Sequence, residues 1–236
     1  MDLTKIRNKL IEFEDTIIRG LCNRSNYKQN NIIYKHSCDE IAYKNDYQGS
    51  YFDFMFRNIE NIHSISGRYD TFDERPYYKG LDNSLVIRNY NEYISKEFVE
   101  FSKKINFSPW IKIAYLNYIN VLSVEGDDKN YGDSVLSDIF NLQAISKRIH
   151  YGIFVMESKY KENKELYDKL LDTNDQTGLI NVLKNVEVED RILNRIMEKT
   201  IKNGFHKPDI IVDFFKNIII PMTIQIELEY IWKKKV

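Results

Sequence analysis

The chain has 236 residues, of which 43% are hydrophobic, and this is enough to bury one well-formed core. Its 34 Lys and Arg residues balance 35 Asp and Glu residues and leave a net charge of −1. This balance argues against a broad nucleic-acid-binding or membrane-binding surface, so any cationic site must be local. Two cysteines, Cys22 and Cys38, are too few for a disulfide framework and have no metal-ligand spacing, so we expect a cytoplasmic protein.

Helical periodicity recurs along almost the whole chain and predicts an all-α fold. We expect one domain over residues 1–236, a helical bundle with a long interior loop region at 68–107 and a C-terminal helix kinked at Pro221. An apolar stripe from Leu3 to Leu21 predicts the first helix. The other helices are predicted at 52–65, 110–122, 142–160, 166–171, 178–183, 188–201 and from 208 to the C-terminus.

Arg148 and Lys159 are the most informative pair in the sequence. They are eleven residues apart, which is close to three turns of a helix with about 3.6 residues per turn, so both should point the same way. The residues along that line, Ala144, Gly152 and Val155, are small or apolar and cannot pair with a cation. The pattern predicts a cationic cavity that an anion visits. The alternative is that acids from other helices pair with both cations in a structural network.

Further polar residues interrupt the predicted apolar stripes. Arg7 falls in line with a leucine one turn before it and another one turn after it, and two pairs, Asn185 with Glu189 and Thr223 with Glu227, are each four residues apart. Each has a simpler explanation: an N-terminal cap for Asn185, a first-turn acid for Glu189, and a hydroxyl bonded to its own helix for Thr223. Together they suit a small dianion that carries a hydroxyl or ether oxygen.

Other chemistries fit the sequence less well. Glu60 and His63 have the Glu-x-x-His spacing of di-metal helical bundles, but there is no second copy, so a structural histidine is the better interpretation. No glycine-rich phosphate loop, zinc cluster or nucleophile elbow is visible, and we expect no metal and no cofactor. Two other classes of protein stay open: a non-catalytic helical adaptor, and a different enzyme that acts on a small dicarboxylate.

Five separate stretches of the sequence resemble the all-helical chorismate mutases of fungi and plants, in the same order and over nearly the whole chain. The run from Arg148 to Gly152, with a lysine eleven residues after the arginine, is the most specific of them. The stretches are Ile6-Arg7 with Glu14 to Ile18, Gly126 to Asp128 with Tyr131-Gly132, Leu142-Gln143 with Ser146 to Gly152 and Phe154-Val155, Asn185 with Val188-Glu189, and Pro221 to Thr223 with Glu227 to Tyr230.

The resemblance implies an isomerase that converts chorismate to prephenate, on the route to phenylalanine and tyrosine, by a unimolecular pericyclic shift. Positioning and electrostatics would be the whole catalytic contribution, with no metal, cofactor or covalent intermediate. Arg7 and Arg148 would hold the two substrate carboxylates, for which the bidentate guanidinium is suited. Lys159 and Glu227 would donate hydrogen bonds to the ether oxygen as the C–O bond breaks.

The same resemblance assigns supporting roles to three more residues. Thr223 would assist at a carboxylate, and Glu189 would accept a hydrogen bond from the ring hydroxyl. Asn185 would support that contact.

Relatives of this kind are often homodimers that bind tyrosine or tryptophan as effectors at the dimer interface. The effector site uses adjacent arginines and a Gly-Ser pair, and here the corresponding residues are Gly67, Arg68, Gly132 and Asp133. One guanidinium is missing, and a carboxylate replaces a hydroxyl. We therefore predict a homodimer with weak feedback control or none.

Overall fold

The structure, a computed structural model, describes residues 3–36, 47–71, 73–86 and 95–235. Within these ranges the chain is helical without a strand, which confirms the predicted all-α class. Cys38 lies outside the described residues, as do residues 72 and 87–94 of the predicted loop. The helices are α1 (Leu3–Arg24), α2 (Tyr51–Ile65), α3 (Lys96–Lys103), α4 (Ser108–Leu122), α5 (Tyr131–His150), α6 (Gly152–Glu162), α7 (Lys164–Asp172), α8 (Gln176–Leu183), α9 (Val186–Lys202), α10 (Pro208–Phe214) and α11 (Ile220–Lys235).

Local sequence explains where several helices begin and end. The hydroxyl of Ser50 accepts a hydrogen bond from the Asp53 backbone amide and caps α2, and the carboxylate of Asp175 caps α8 in the same way through Gly178. Gly67 follows α2 with φ of 77°, a left-handed conformation that glycine adopts without steric cost. Gly67 therefore marks the end of α2.

The core is formed where the apolar faces of the long helices meet. The largest cluster of buried side chains includes Ile17 and Leu21 of α1, Leu142 and Ile149 of α5, and Ile226 of α11. Helix α1 packs lengthwise against α5, and helix α11 packs against α6 and α5. These four helices therefore form the frame that holds the polar residues singled out in the sequence. No described helix is both long enough and apolar enough to cross a membrane.

The predicted helix over residues 142–160 is two helices, α5 and α6, joined at Tyr151. Tyr151 keeps nearly helical dihedral angles, φ −64° and ψ −16°. Its carbonyl accepts from the Phe154 amide at 3.0 Å and from the Val155 amide at 3.4 Å, so the turn is tightened rather than broken. Arg148 and Lys159 thus stay on nearly continuous helical backbone, one on each side of the joint.

The C-terminal region is also divided, where a single kinked helix was predicted. A widened π-helical turn over Phe215–Ile219 separates α10 from α11 and comes immediately before Pro221. Proline has no N–H to donate to the preceding turn and its ring crowds that turn, which favours a local change in helical winding. The turn sets the orientation with which Thr223 and Glu227 leave the start of α11.

Candidate active site

The side chain of Arg148 is buried near the C-terminal end of α5, where it is 3% exposed. Its Nη1 donates to Thr223 Oγ1 at 3.5 Å, a long hydrogen bond, and its Nε has no hydrogen-bond partner in the described part of the chain. Burial lowers the pKa of this guanidinium, and the carboxylates of Glu14 and Glu227 oppose that shift. Because arginine stays protonated in proteins, Arg148 is a buried cation with unused donors.

Lys159 of α6 and Glu227 of α11 face each other across the helix interface. Lys159 Nζ donates to Glu227 Oε2 at 3.0 Å, and the side chains are 24% and 6% exposed. Burial raises the pKa of the Glu227 carboxyl, while Lys159 and Arg148 oppose the rise. The structure therefore brings both Arg148 and Lys159 to the first turns of α11. Lys159 is paired there with Glu227, which belongs to the same predicted site.

Thr223, Asn185 and Glu189 lie where the simpler explanations placed them. Thr223 Oγ1 donates to the Ile219 carbonyl at 2.7 Å, so the hydroxyl is bonded to its own helix while it accepts from Arg148. Asn185 caps α9 by accepting from the Val188 amide at 3.0 Å, and Glu189 lies in the first turn of that helix. Asn185 is exposed and Glu189 is partly exposed.

The predicted inward orientation of Arg7 is wrong for this structure, in which its side chain is exposed. The buried face of α1 passes through Ile6, which is 2% exposed, and Phe13. Arg7 lies two turns before Glu14 on nearly the same helical face, and Glu14 is buried, so helical rotation alone does not expose Arg7. This face is open to solvent at Arg7, near the start of α1. Arg148, Lys159, Thr223 and Glu227 are brought together, and Arg7 is not among them.

A second charged cluster, which was not predicted from the sequence, lies beside Arg148. Glu14 of α1, 1% exposed, accepts two hydrogen bonds from Arg195 of α9, at 2.8 and 2.7 Å. Lys199, one turn further along α9, lies 3.5 Å from Glu14 and 3.0 Å from Asp15. The position of Glu14 within an apolar stripe, together with two cations four residues apart, was the signal that pointed to it. Glu14 also attracts Arg148 at longer range.

The residues predicted for effector binding are not close to one another within one chain. Arg68 donates to Gln143 Oε1 at 2.8 Å and to Glu74 Oε2 at 3.2 Å, beside the middle of α5. Gly132 and Asp133 lie in the first turn of α5, and Asp133 is exposed. Ten residues separate Asp133 from Gln143, which corresponds to roughly 15 Å along a helix. A ligand that touched both regions would need two chains.

No group of three or more His, Cys, Asp or Glu side chains in the described ranges has the geometry to hold a metal ion. His63, considered above for a di-metal site, instead lies 3.1 Å from Arg68 Nη1 and 3.1 Å from Gln143 Nε2. His150 donates from Nδ1 to the Ser146 carbonyl at 2.7 Å and accepts from the Phe107 amide at 2.9 Å. Both histidines therefore make structural contacts.

Comparisons with known proteins agree with this geometry. A family model described as chorismate mutase type II matches residues 137–228. The chorismate mutase of Schizosaccharomyces pombe is 32% identical to this chain, and the match covers 98% of this chain and 95% of that protein. The chorismate mutase of Saccharomyces cerevisiae is 31% identical, and the match covers 99% of this chain and 95% of that protein. The chain belongs to the chorismate mutase family. The matched segment contains every predicted catalytic residue except Arg7.

Solved structures of other mutases have the same fold. A chorismate mutase from Candida albicans in complex with L-Trp superposes with a TM-score of 0.89 and 32% identity, covering 99% of this chain and 92% of that one. The structure of AtCM1 with tyrosine bound in its allosteric site has a TM-score of 0.88 and 30% identity, covering 100% and 97%. The mutase fold therefore extends over the whole described chain.

Proposed function

We propose that this chain is a chorismate mutase that rearranges chorismate to prephenate on the route to phenylalanine and tyrosine. The observation that carries the proposal is the burial of the Arg148 guanidinium, which is 3% exposed and whose Nε has no hydrogen-bond partner in the described chain. Arg148 also shares a helical face with Lys159. Leaving a buried cation incompletely paired is costly, and an anionic ligand removes that cost. Family membership supplies the identity of the anion.

The proposed chemistry uses the four clustered side chains for positioning and charge. Arg148 holds a substrate carboxylate in a bidentate manner and Thr223 contacts the same carboxylate. Lys159 and a protonated Glu227 donate to the ether oxygen, where negative charge develops as the C–O bond breaks. The reaction is intramolecular, so holding the enolpyruvyl arm over the ring lowers the barrier by removing freedom that the free substrate has. We expect neither metal nor cofactor to take part.

We propose that three more residues complete the site when substrate binds. Arg7 would reach the second carboxylate from the solvent side of α1, which requires its exposed side chain to turn inward. Glu189 would accept from the ring hydroxyl, and Asn185 would hold the start of α9 in place through its cap. These roles follow from the family resemblance and remain predictions.

The adaptor alternative requires all the buried polar groups to be satisfied within the protein. Arg148 Nε does not meet that requirement in the described chain, which favours a ligand-binding site over a purely structural network. The other alternative, an enzyme for a different small dicarboxylate, is separated by a substrate test. Purified protein should deplete chorismate, followed by its absorbance, and should leave unrelated dicarboxylates unchanged.

The first prediction concerns the two arginines. Arg148→Ala and Arg7→Ala should each lower turnover roughly 10²- to 10³-fold, the typical effect of removing a preorganised donor, while the helical circular-dichroism spectrum stays the same. Arg148→Lys keeps the charge without the planar fork and should recover only part of the loss. Arg19→Ala, an exposed arginine on the same helix as Arg7, is the matched control and should keep parental activity. Near-parental turnover in Arg148→Ala would contradict the proposed clamp.

We also propose that the chain is one domain, cytoplasmic, and a homodimer. Support for the dimer comes from apolar side chains left on the surface: Ile62 of α2 is 66% exposed, and Leu136 and Phe140 of α5 are 49% and 51% exposed. The two α5 residues are one turn apart and share a face, as an interface between copies requires. Sedimentation equilibrium gives the mass that tests the dimer.

A further inference from the structure

Gly152 lies at the start of α6, directly between the two cations of the site. It is four residues after Arg148 and seven before Lys159, so all three lie on one helical face. Its backbone does not have the positive φ that would require glycine. Glycine is less favourable than alanine inside a helix, and another property must explain its place here.

That property is the close approach of α11. A Cβ atom built on Gly152 would lie 3.0 Å from Thr223 Cγ2, 3.0 Å from Ile226 Cγ2 and 3.3 Å from the Thr223 carbonyl oxygen. Carbon atoms in van der Waals contact prefer separations of about 3.5 to 4.0 Å. A methyl group at this position would therefore push α6 and α11 apart by several tenths of an ångström.

The helices that meet at Gly152 carry the two hydrogen-bonded pairs of the site, Arg148 with Thr223 and Lys159 with Glu227. Thr223 accepts a long hydrogen bond from Arg148 at 3.5 Å, and Glu227 accepts from Lys159 at 3.0 Å one turn further along. Any displacement of α11 at Thr223 lengthens the first contact and shifts the second. Preorganised groups lose much of their effect when they are misplaced by 1 Å or less.

We propose that Gly152 is a positioning residue that sets the separation of α6 and α11 and thereby the spacing of Arg148 and Lys159 from Thr223 and Glu227. This inference rests on the proposed mutase function. Gly152 has no side chain, so its role is to place the other residues and not to contact the substrate through a functional group.

The test is a double-variant cycle between Gly152 and Thr223. Gly152→Ala should lower kcat about tenfold or more, while the fall in Tm stays small because the helical preference of alanine partly offsets the cost of the close contact. Thr223→Ser removes the Cγ2 methyl that the new Cβ would meet and keeps the hydroxyl. In the Gly152→Ala background this substitution should raise kcat at least about threefold, whereas in the parental background it should not raise it.

A second measurement does not depend on turnover. Titration of the Glu227 carboxyl by carbon NMR should give a higher pKa in Gly152→Ala than in the parent, because Lys159, which lowers that pKa, has moved away. If the parental protein does not turn over chorismate, the proposed function is wrong, and the Glu227 titration alone then tests whether Gly152 sets the distance between α6 and α11. An unchanged Glu227 titration, a kcat within twofold of the parent, or the same effect of Thr223→Ser in both backgrounds would overturn the role of Gly152.

Discussion

At the scale of single residues, the protonation state of Glu227 decides whether the proposed mechanism works. An ether oxygen has only lone pairs, so a carboxylate repels it while a carboxyl can donate to it. Burial raises the pKa of Glu227, and the groups that face it are Lys159 of α6, Arg148 of α5 and the hydroxyl of Tyr167 on α7. A bound dianion adds to the rise.

The resulting prediction is a pH dependence with a defined sign. Activity should be present below the raised pKa of Glu227 and should fall as the pH climbs through it. The amide of Glu227→Gln donates at every pH, so this variant should lose the alkaline fall and stay active at higher pH. The measurement is a pH–rate profile of kcat for both proteins. An alkaline decline in the glutamine variant equal to that of the parent would exclude Glu227 as the titrating donor.

How far the site could be predicted from the sequence differs from residue to residue. The pairs Arg148 with Lys159 and Thr223 with Glu227 were accessible because helical spacing fixes which side chains share a face. The environment of Arg7 was not, since Arg7 lies on nearly the same helical face as the buried Glu14, and only the packing near the start of α1 leaves it exposed. Glu14 and Arg195 are 181 residues apart, so the sequence can draw attention to the acid and to the cations separately but not to their pairing.

At the scale of elements, periodicity predicted the helices well and their junctions poorly. The predicted helix at 110–122 is observed at Ser108–Leu122, and the one at 52–65 at Tyr51–Ile65. The joint at Tyr151 and the π-helical turn at 215–219 were missed. Both keep nearly the same apolar periodicity as an α-helix, so only backbone hydrogen bonding distinguishes them.

The junction of α1 with α5 carries a prediction about stability. Arg24 and Asp138 are both fully buried, and Arg24 Nε donates to Asp138 Oδ1 at 2.7 Å. Arg24 Nη1 also donates to Ser123 Oγ at 2.9 Å, and Tyr115 donates to Asp138 Oδ1 at 2.8 Å. Removing one member of such a pair leaves a buried charge without its partner, which costs about 3 to 5 kcal/mol.

Asp138→Ala should therefore lower the free energy of unfolding by about 3 to 5 kcal/mol, measured by urea denaturation. The double variant Arg24→Met with Asp138→Leu should lose less than the sum of the two single changes, because it leaves no uncompensated charge. Glu12→Ala breaks an exposed pair with Lys9 on the same helix and should leave the unfolding midpoint almost unchanged. Equal effects of Asp138→Ala and Glu12→Ala would mean that the buried pair does not hold α1 to α5.

At the scale of the whole molecule, the two regions predicted for effector binding lie apart on one chain. Arg68 is held near the middle of α5 by Gln143 and Glu74, and Asp133 is exposed at the start of the same helix. An amino acid is shorter than the roughly 15 Å between these regions, so one chain does not bring both of them to the same small ligand.

We predict that tyrosine inhibits weakly or not at all, because the carboxylate of Asp133 repels the carboxylate of an amino acid and Gly67 supplies no guanidinium. Asp133→Ser removes the repulsion, which is about 1 kcal/mol for two charges ~4 Å apart in water, and should lower the inhibitory tyrosine concentration at most about fivefold. Gly67→Arg would restore a cation at φ of 77°, where a side chain is strained, so the single serine variant is the cleaner test. Initial rates with increasing tyrosine, in the parent and in Asp133→Ser, measure both effects. Strong saturable inhibition of the parent would show that Asp133 does not face the effector carboxylate.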